Sequence, residues 1–96
     1  MLKIWICGAG GRVGRKMIDI LASRPVELLL TDVDSVDITD SEAVMEYAHI
    51  NRPHYIVNCA GLTDVAACEV RPEEAYRVNA LGARNLSVAA RMGKSR

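Results

Sequence analysis

The 96-residue sequence predicts an α/β fold, in which a parallel sheet of about four strands lies between two layers of helices. Three observations support this prediction. Short apolar runs alternate along the chain with longer segments whose apolar residues recur at helical spacing. The runs are apolar nearly throughout, as is typical of parallel strands that are covered on both faces. A glycine-rich turn joins the first run to the first helical segment.

The first strand is predicted over residues 2–7, and the first helix runs from about Gly11 to Ser23. Pro25 ends that helix, because the residue before a proline avoids the α region. The buried stripe of the helix is predicted to consist of Val13, Met17, Ile18 and Leu21.

The second strand covers residues 26–31 and ends at Asp32, and a short third strand is predicted over residues 36–38 at the sheet edge. A capping box then begins the second helix, with Thr39 as the N-cap and Glu42 as its partner. The inward residues of that helix are predicted to be Ala43, Val44, Tyr47, Ala48 and Ile50.

The fourth strand is predicted over residues 55–60, and Gly61 ends it. A long helix then begins at Pro72 and has Gly93 as the residue that stops it. Gly82 is unfavourable inside a helix, so it predicts a close approach to the sheet or to another helix. Right-handed crossovers between these strands give the order 3-2-1-4, which is half of a Rossmann fold.

The charge balance and the cysteines argue against several classes of protein. Twelve basic and twelve acidic residues give a net charge of zero, so there is no basic footprint for nucleic acid and no polybasic patch for a membrane. The apolar start of the chain is too short for a signal peptide, and no stretch is long enough to span a bilayer. Three cysteines without metal-ligand spacing favour a reduced, cytoplasmic protein with no metal site.

The glycine-rich turn carries the spacing G-x-x-G-x-x-G at Gly8, Gly11 and Gly14. Glycine lets the backbone turn sharply and lets a phosphate come close, since no Cβ intervenes. Backbone N–H groups and the positive end of the helix then face the anion. The turn predicts a site for the diphosphate of a dinucleotide, and a plain tight turn between strand and helix is the alternative. The site also includes Gly10, Arg12 and Val13.

Asp32 is the second signal, because it lies at the end of the second strand, 24 residues after Gly8. In a Rossmann half, an acid at this place hydrogen-bonds the adenosine ribose. A carboxylate there also repels a 2′-phosphate, which favours NAD over NADP as the cofactor. The Arg12 guanidinium argues the other way, since it could accept a phosphate. The alternatives for Asp32 are an ordinary turn aspartate or competition from Asp34.

Three further segments extend the predicted site. Asp37 can accept from the adenine amino group and Ile38 can cover a face of the ring, although a turn and a helix start explain both residues by themselves. Residues 58–61 leave room for a ribose and nicotinamide, and a simple strand-to-loop transition is the alternative. Asn79 is polar on an apolar helix stripe and could bond the backbone of the fourth strand, unless it is exposed.

Several runs of residues together resemble a known family. They are Cys7–Gly14, Val36–Asp40, Pro53–Ala60 and Pro72–Gly82, followed by Asn85-Leu86 and Ala89-Ala90. In order and spacing they resemble the N-terminal part of the extended short-chain dehydrogenases, and more specifically that of the dTDP-4-dehydrorhamnose reductases and related nucleotide-sugar reductases. The resemblance covers essentially the whole chain.

The resemblance implies a role for each matching position. The cofactor diphosphate would be held by Gly8, Gly11 and Gly14, the ribose by Asp32, and the adenine by Asp37 and Ile38. The nicotinamide side would be formed by Ala60, Gly61 and Thr63, and Asn79 would be the structural asparagine of the active site.

The resemblance also shows what is missing. The family's chemistry uses a tyrosine with a lysine four residues later, and no Tyr-x-x-x-Lys occurs in this sequence. The resemblance therefore implies a single NAD(P)-binding domain over residues 1–96, without catalytic residues or a substrate domain, so whether this chain is an enzyme stays open. Cys7 replaces the family's usual threonine. Ala66 and Ala67 replace a frequent Asp-Lys pair, which weakens the match to the family's rhamnose substrate and dimer contacts.

The fourth strand suggests a different class of function. In a whole Rossmann fold this strand has a further neighbour, and an open strand edge recruits other chains. We therefore expect a homo-oligomer. The alternative to a reductase front end is a non-catalytic nucleotide-binding or assembly module that oligomerises through this edge.

Overall fold

The computed structural model describes residues 1–60, 73 and 76–95 of the chain. The strands among them are β1 (Leu2–Cys7), β2 (Val26–Thr31) and β3 (Tyr55–Asn58). The α-helices are α1 (Arg12–Leu21), α2 (Ser41–Asn51) and α3 (Gly82–Gly93). A π-helical turn, Arg77–Leu81, leads directly into α3.

The described strands form one parallel sheet in the order β2-β1-β3. β1 lies in the centre, and its last residue, Cys7, is level with Thr31 on one side and Asn58 on the other. The carboxyl ends of all three strands therefore meet at one edge of the sheet. This confirms the predicted α/β class and the Rossmann-type order around the first strand.

The predicted edge strand at residues 36–38 is wrong. After β2 the chain turns at once, because the Asp32 carbonyl accepts from the N–H groups of Ser35 and Val36. Val36 and Ile38 then bury their side chains in the core instead of pairing with β2. Among the described residues the order 3-2-1-4 thus lacks its outer strand, and the predicted fourth strand is β3, which ends at Asn58.

Two apolar layers cover the two faces of the sheet. On one face, α2 and α3 pack over residues of β1 and of the loop after β2, with a core of Trp5, Cys7, Val36, Ile38, Val44, Leu86 and Ala89. On the other face, α1 covers Ile4, Ile6 and Ala9 with Met17, Ile18 and Leu21. The three-layer arrangement is as predicted.

Two residues assigned to buried stripes are exposed. Val13 is 60% exposed, because Gly14 is the residue of the first turn of α1 that lies against the glycine turn. Successive helical residues are rotated by about 100°, so its neighbour faces away. Ile50 is 68% exposed in the last turn of α2, where Val44 and Tyr47 make the core contacts.

The N-cap of α2 is Asp40 and not Thr39 as predicted. The Asp40 carboxylate accepts from the N–H groups of Glu42 and Ala43, at 3.1 and 3.2 Å. The Thr39 hydroxyl is engaged elsewhere, since it donates to Asp37 Oδ1 at 2.7 Å. A carboxylate one residue later therefore takes the capping position.

The end of α3 is fixed to the start of β3. Lys94, and not Gly93 as predicted, takes the left-handed conformation that ends the helix, with φ 60°. The Ser95 N–H donates to the Ala90 carbonyl at 2.7 Å, which completes a Schellman motif. The Ser95 hydroxyl donates to the Pro53 carbonyl, directly before β3.

No helix in the described part of the chain combines the length and apolarity needed to cross a membrane. Within residues 1–60, 73 and 76–95 there is also no group of three or more His, Cys, Asp or Glu side chains that could hold a metal ion.

Candidate functional site

The glycine turn after β1 is wedged between the ends of the two neighbouring strands. Gly8 has φ +73°, and a Cβ at this position would lie 2.6 Å from the backbone nitrogen of Ala60. On the other side, the N–H groups of Gly8 and Ala9 both donate to the Thr31 carbonyl, at 2.8 and 3.0 Å. The turn therefore sits at the point where the sheet order runs from β1 towards β2 on one side and β3 on the other. In open α/β sheets this point is the usual ligand crevice.

The first turn of α1 is open to an anion. Gly11 is its N-cap and provides no side-chain cap, and no acidic residue occurs in the first turn. The first N–H groups of a helix have no partner within the helix and carry the positive end of its dipole. Arg12, the first residue of α1, is exposed and adds a full positive charge. Gly10, Gly11 and Val13 are also exposed, so a phosphate could reach this backbone.

Gly14 lets α1 begin this close to the strand. A Cβ on Gly14 would lie 2.9 Å from the Ala9 Cα, which is closer than real Cβ atoms approach. The Gly11 N–H donates to the Gly8 carbonyl at 3.1 Å, which closes the turn. The three glycines of the predicted spacing thus meet around the Gly8 carbonyl.

Asp32 directly follows β2, as predicted, and the structure places it beside the same turn. Its carboxylate accepts from the Gly10 N–H, with 2.8 Å between Oδ2 and the nitrogen. The Ser35 hydroxyl holds its backbone, since it donates to the Asp32 carbonyl at 3.1 Å and accepts from the Asp32 N–H at 3.0 Å. The end of β2 therefore presents an exposed carboxylate next to the glycine turn.

Asp37 and Ile38 do different things in the loop after β2. Asp37 is exposed, and its Oδ1 accepts from both the N–H and the hydroxyl of Thr39. Ile38 buries its side chain in the core, where it meets Gly82. Its carbonyl accepts from the Asn85 side chain at 2.8 Å. Only Asp37 therefore presents its side chain at the surface, and Ile38 anchors the loop to α3.

The other side of the turn is formed by the end of β3. The Cys59 N–H donates to the Cys7 carbonyl at 3.0 Å, and the Ala60 N–H donates to Asn58 Oδ1 at 3.1 Å. Ala60 is half-buried against Gly8. Gly61 and Thr63, which the sequence assigns to the nicotinamide side, lie outside the described residues, as does the predicted helix start at Pro72.

Asn79 lies in the π-helical turn before α3 and is exposed. Sequence periodicity placed it on the apolar stripe of a regular helix, and the wider π turn changes that register. Single π turns inside helices occur frequently at functional sites.

Two contributors were missed by sequence reasoning. Thr31 accepts two N–H groups of the glycine turn through its carbonyl, and its hydroxyl accepts the Trp5 indole N–H at 2.8 Å. Its signal was a hydroxyl at the end of an otherwise apolar strand. Asn85 holds the loop that carries Asp37, and its signal was a polar residue beside Gly82 on the helix.

The titratable groups packed near the sheet keep their protons at neutral pH. Burial raises the pKa of the Cys7 thiol to about 12, and burial also raises the pKa of the Cys59 thiol. Burial raises the pKa of Tyr47, whose ring lies 4.5 Å from that of Trp5. These groups suit a structural role, while the exposed Arg12, Asp32 and Asp37 are the groups that can meet a ligand.

The chain matches a known family over almost its entire length. The model of the RmlD substrate binding domain matches residues 2–95. The dTDP-4-dehydrorhamnose reductase of Mycolicibacterium smegmatis is 39% identical over 87 residues, which cover 91% of this chain and 26% of that protein. The chain thus spans about a quarter of the length of this relative.

Solved structures show the same fold. A dTDP-4-dehydrorhamnose reductase from Clostridium acetobutylicum superposes with a TM-score of 0.93 at 38% identity, covering 99% of this chain and 34% of that one. A dTDP-4-dehydrorhamnose reductase from Bacillus anthracis, solved in complex with NADP, also gives 0.93, at 31% identity, covering 100% and 34%.

Proposed function

This chain belongs to the RmlD substrate binding domain family, and from that membership we propose that residues 1–96 form a single domain that binds a nicotinamide dinucleotide. We propose that the bound cofactor serves hydride transfer to a 4-keto sugar nucleotide, which is the kind of reaction that dTDP-4-dehydrorhamnose reductases catalyse. The relatives named above are about three to three and a half times as long as this chain.

One observation carries the proposal: an uncapped helix N-terminus and an exposed carboxylate meet at the same glycine turn. The first turn of α1 offers backbone N–H groups and Arg12 to a diphosphate. Asp32 offers carboxylate oxygens to ribose hydroxyls within the same edge of the sheet. A dinucleotide carries both groups, so a single ligand satisfies both halves of the site.

The sheet order supports an assignment of the adenine and nicotinamide ends. We propose that the adenine lies towards the loop after β2, where Asp37 is exposed and Ile38 fixes the loop. The nicotinamide then lies towards the end of β3, next to Ala60, and the sequence resemblance assigns Gly61 and Thr63 to the same side. Asn79 would support this side as the structural asparagine. The bound nicotinamide supplies the hydride, and the residues of this chain bind and orient it.

The site has features for both forms of the cofactor. The Asp32 carboxylate favours NAD, because its negative charge would repel the 2′-phosphate that NADP carries. The related Bacillus anthracis enzyme was solved with NADP, and the exposed Arg12 beside the turn suits a phosphate. We propose that the site accepts both NADH and NADPH.

Calorimetric titration of the chain with NADH, and in parallel with NADPH, tests the proposal. We expect saturable binding that is strongly weakened by Asp32→Ala for NADH. Asp34→Ala is the matched control, because Asp34 is exposed in the same loop and should leave binding unchanged. A folded chain that binds neither cofactor at millimolar concentration would overturn the proposal.

Catalysis by this chain alone is tested separately. The sequence has no Tyr-x-x-x-Lys pair to give a proton to the reduced ketone. We therefore propose that the 96 residues bind cofactor without turning over a 4-keto sugar nucleotide. Oxidation of NADPH by the purified chain in the presence of dTDP-4-dehydrorhamnose would contradict this.

A second function, assembly through the sheet edge, is favoured by the geometry of β3. Within the described residues β3 pairs only with β1, so its other edge can accept a strand. A groove of about 210 Å³ beside it is lined by Ile56, Leu86 and Ala90, among other residues. Sedimentation at several concentrations tests this function, and a monomer at all of them would exclude it.

A further inference from the structure

Gly10 lies in the glycine turn but outside the G-x-x-G-x-x-G spacing. Its N–H donates to Asp32 Oδ2 at 2.8 Å. A Cβ at Gly10 would lie 2.5 Å from the same oxygen, and the other nearest atoms in that direction also belong to Asp32. The N–H group of Gly10 therefore binds the Asp32 carboxylate, and the absence of a Cβ on Gly10 leaves room for that carboxylate.

The rest of Asp32 is held as well. The Ser35 hydroxyl bonds both its backbone N–H and its carbonyl. With the backbone fixed, the bond from Gly10 is the contact among the described residues that orients the side chain. A carboxylate accepts through two oxygens, so a bond to Oδ2 leaves Oδ1 to accept from a ligand.

We propose that Gly10 is a positioning residue for Asp32 and thereby controls discrimination between NADH and NADPH. The inference rests on the proposed function, the binding of these cofactors. A fixed carboxylate accepts from a ribose 2′-hydroxyl but meets a 2′-phosphate as a like charge. A carboxylate released from Gly10 turns away from either group, and the difference between the cofactors shrinks.

The experiment measures the ratio of Kd for NADPH to Kd for NADH in four chains. These are the wild type, Gly10→Ala, Asp32→Ala and the double variant. We expect the ratio to fall by about tenfold in Asp32→Ala, since a like-charge contact is worth at least that factor. The ratio should also fall in Gly10→Ala. In the double variant the ratio should equal that of Asp32→Ala.

Gly11→Ala is the control for damage to the turn. Among the described residues, a Cβ there would meet only the Gly8 carbonyl, at 3.4 Å, and would not touch Asp32. This variant should weaken both cofactors alike and leave the ratio unchanged. A merely structural effect of Gly10→Ala would have the same signature as Gly11→Ala.

Asp32→Asn keeps the experiment decisive if Gly10→Ala fails to fold. Its side-chain oxygen can still accept from Gly10, so the Gly10 amide resonance should stay near its wild-type position in Asp32→Asn and move in Asp32→Ala. An unmoved resonance in Asp32→Ala overturns the inference without any cofactor. A wild-type ratio in Gly10→Ala, or a further change in the double variant, also overturns it. A wild type that binds neither cofactor overturns the proposed function and this inference together.

Discussion

The indole nitrogen of Trp5 and the hydroxyl of Thr31 are joined by a buried hydrogen bond of 2.8 Å between the central strand and β2. Trp5 is fully buried, so this bond satisfies a polar group that water cannot reach. Thr31 also directs its carbonyl at two N–H groups of the glycine turn. One residue therefore links the core to the candidate site, and Asp32 follows it directly.

Thr31→Val should destabilise the chain, because the indole N–H would remain buried without a partner. The expected loss in the free energy of unfolding is about 1–3 kcal/mol. Urea unfolding followed by the fluorescence of the single tryptophan measures it. Thr31→Ser keeps the hydroxyl and is the matched control. Equal stability of the Val and Ser variants would show that the bond contributes nothing.

Asp40→Ala should weaken the start of α2. The Asp40 carboxylate is the only cap that the side chains before α2 provide within the described residues, and removing such a cap costs about 1 kcal/mol. Asp40→Asn retains an acceptor and should lose much less. Thr39→Ala tests Thr39 as the N-cap that the sequence predicts. A larger loss of stability in Thr39→Ala than in Asp40→Ala would show that Thr39 is the cap. Thermal unfolding by circular dichroism compares the three variants.

Gly82→Ala should destabilise the chain although alanine is the better helix former. A Cβ at Gly82 would lie 2.7 Å from Ile38 Cγ1. Overpacking of this kind costs about 1–3 kcal/mol, which exceeds the gain of about 1 kcal/mol in helix propensity. In a double-mutant cycle, Ile38→Ala should remove the penalty of Gly82→Ala. Additive losses in that cycle would place the strain elsewhere.

Lys94→Gly and Arg52→Gly should each stabilise the chain. Both residues are in the left-handed region, with φ 60° and 47°. For a residue with a Cβ this conformation costs about 1 kcal/mol relative to glycine. Arg24→Gly is the matched control, because Arg24 is an exposed turn residue without a positive φ. A gain in Arg24→Gly equal to that in the other two would contradict the explanation.

Stability should fall as the pH rises above 9. The Cys7 thiol ionises near its ordinary pKa of 9.0 when the chain is unfolded, but only at about 12 when it is folded. Between these values the unfolded chain has lost a proton that the folded chain retains, so rising pH favours unfolding by up to about 1.4 kcal/mol per pH unit. The stabilising contribution is complete below pH 9.

Urea unfolding under reducing conditions at pH 8 to 10.5 measures this loss. Cys7→Ala should flatten the dependence, and Cys59→Ala should flatten it less, because Cys59 is only half-buried. An unchanged slope in Cys7→Ala would assign the alkaline loss to other groups, such as Tyr47, whose pKa is also raised.

The sequence predicts the strands and glycine turn well because their signals are local. Apolar runs mark β1 and β2, and the glycine spacing marks a turn that needs positive φ at Gly8. The prediction of a third strand at residues 36–38 was wrong for a reason that is not local. Residues 36–38 have the composition of a strand, but the carbonyl of Asp32 stops the chain in a turn and the core takes Val36 and Ile38.

In the candidate site, too, some features are predictable from the local sequence and others depend on packing in three dimensions. The position of Asp32 at the end of β2 follows from counting along the sequence, but its bond to Gly10 depends on how the turn packs in three dimensions. The burial of Ile38 follows from the close approach of Gly82, which lies 44 residues away along the chain. Side-chain contacts across such separations leave no periodic signal.

The position of β1 in the sheet has a consequence for how the protein is made. The central strand is synthesised before both of its partners, and the second partner, β3, ends at Asn58. Cys7 therefore pairs with Asn58, a residue 51 positions later in the sequence, and such distant pairings form slowly during folding. Gly8 rests against Ala60, so the nascent chain gains a complete crevice only after that residue has been synthesised. Vectorial synthesis thus places the assembly of the crevice after α1, β2 and α2 have been made, and their side chains are then available to bury the apolar faces of β1.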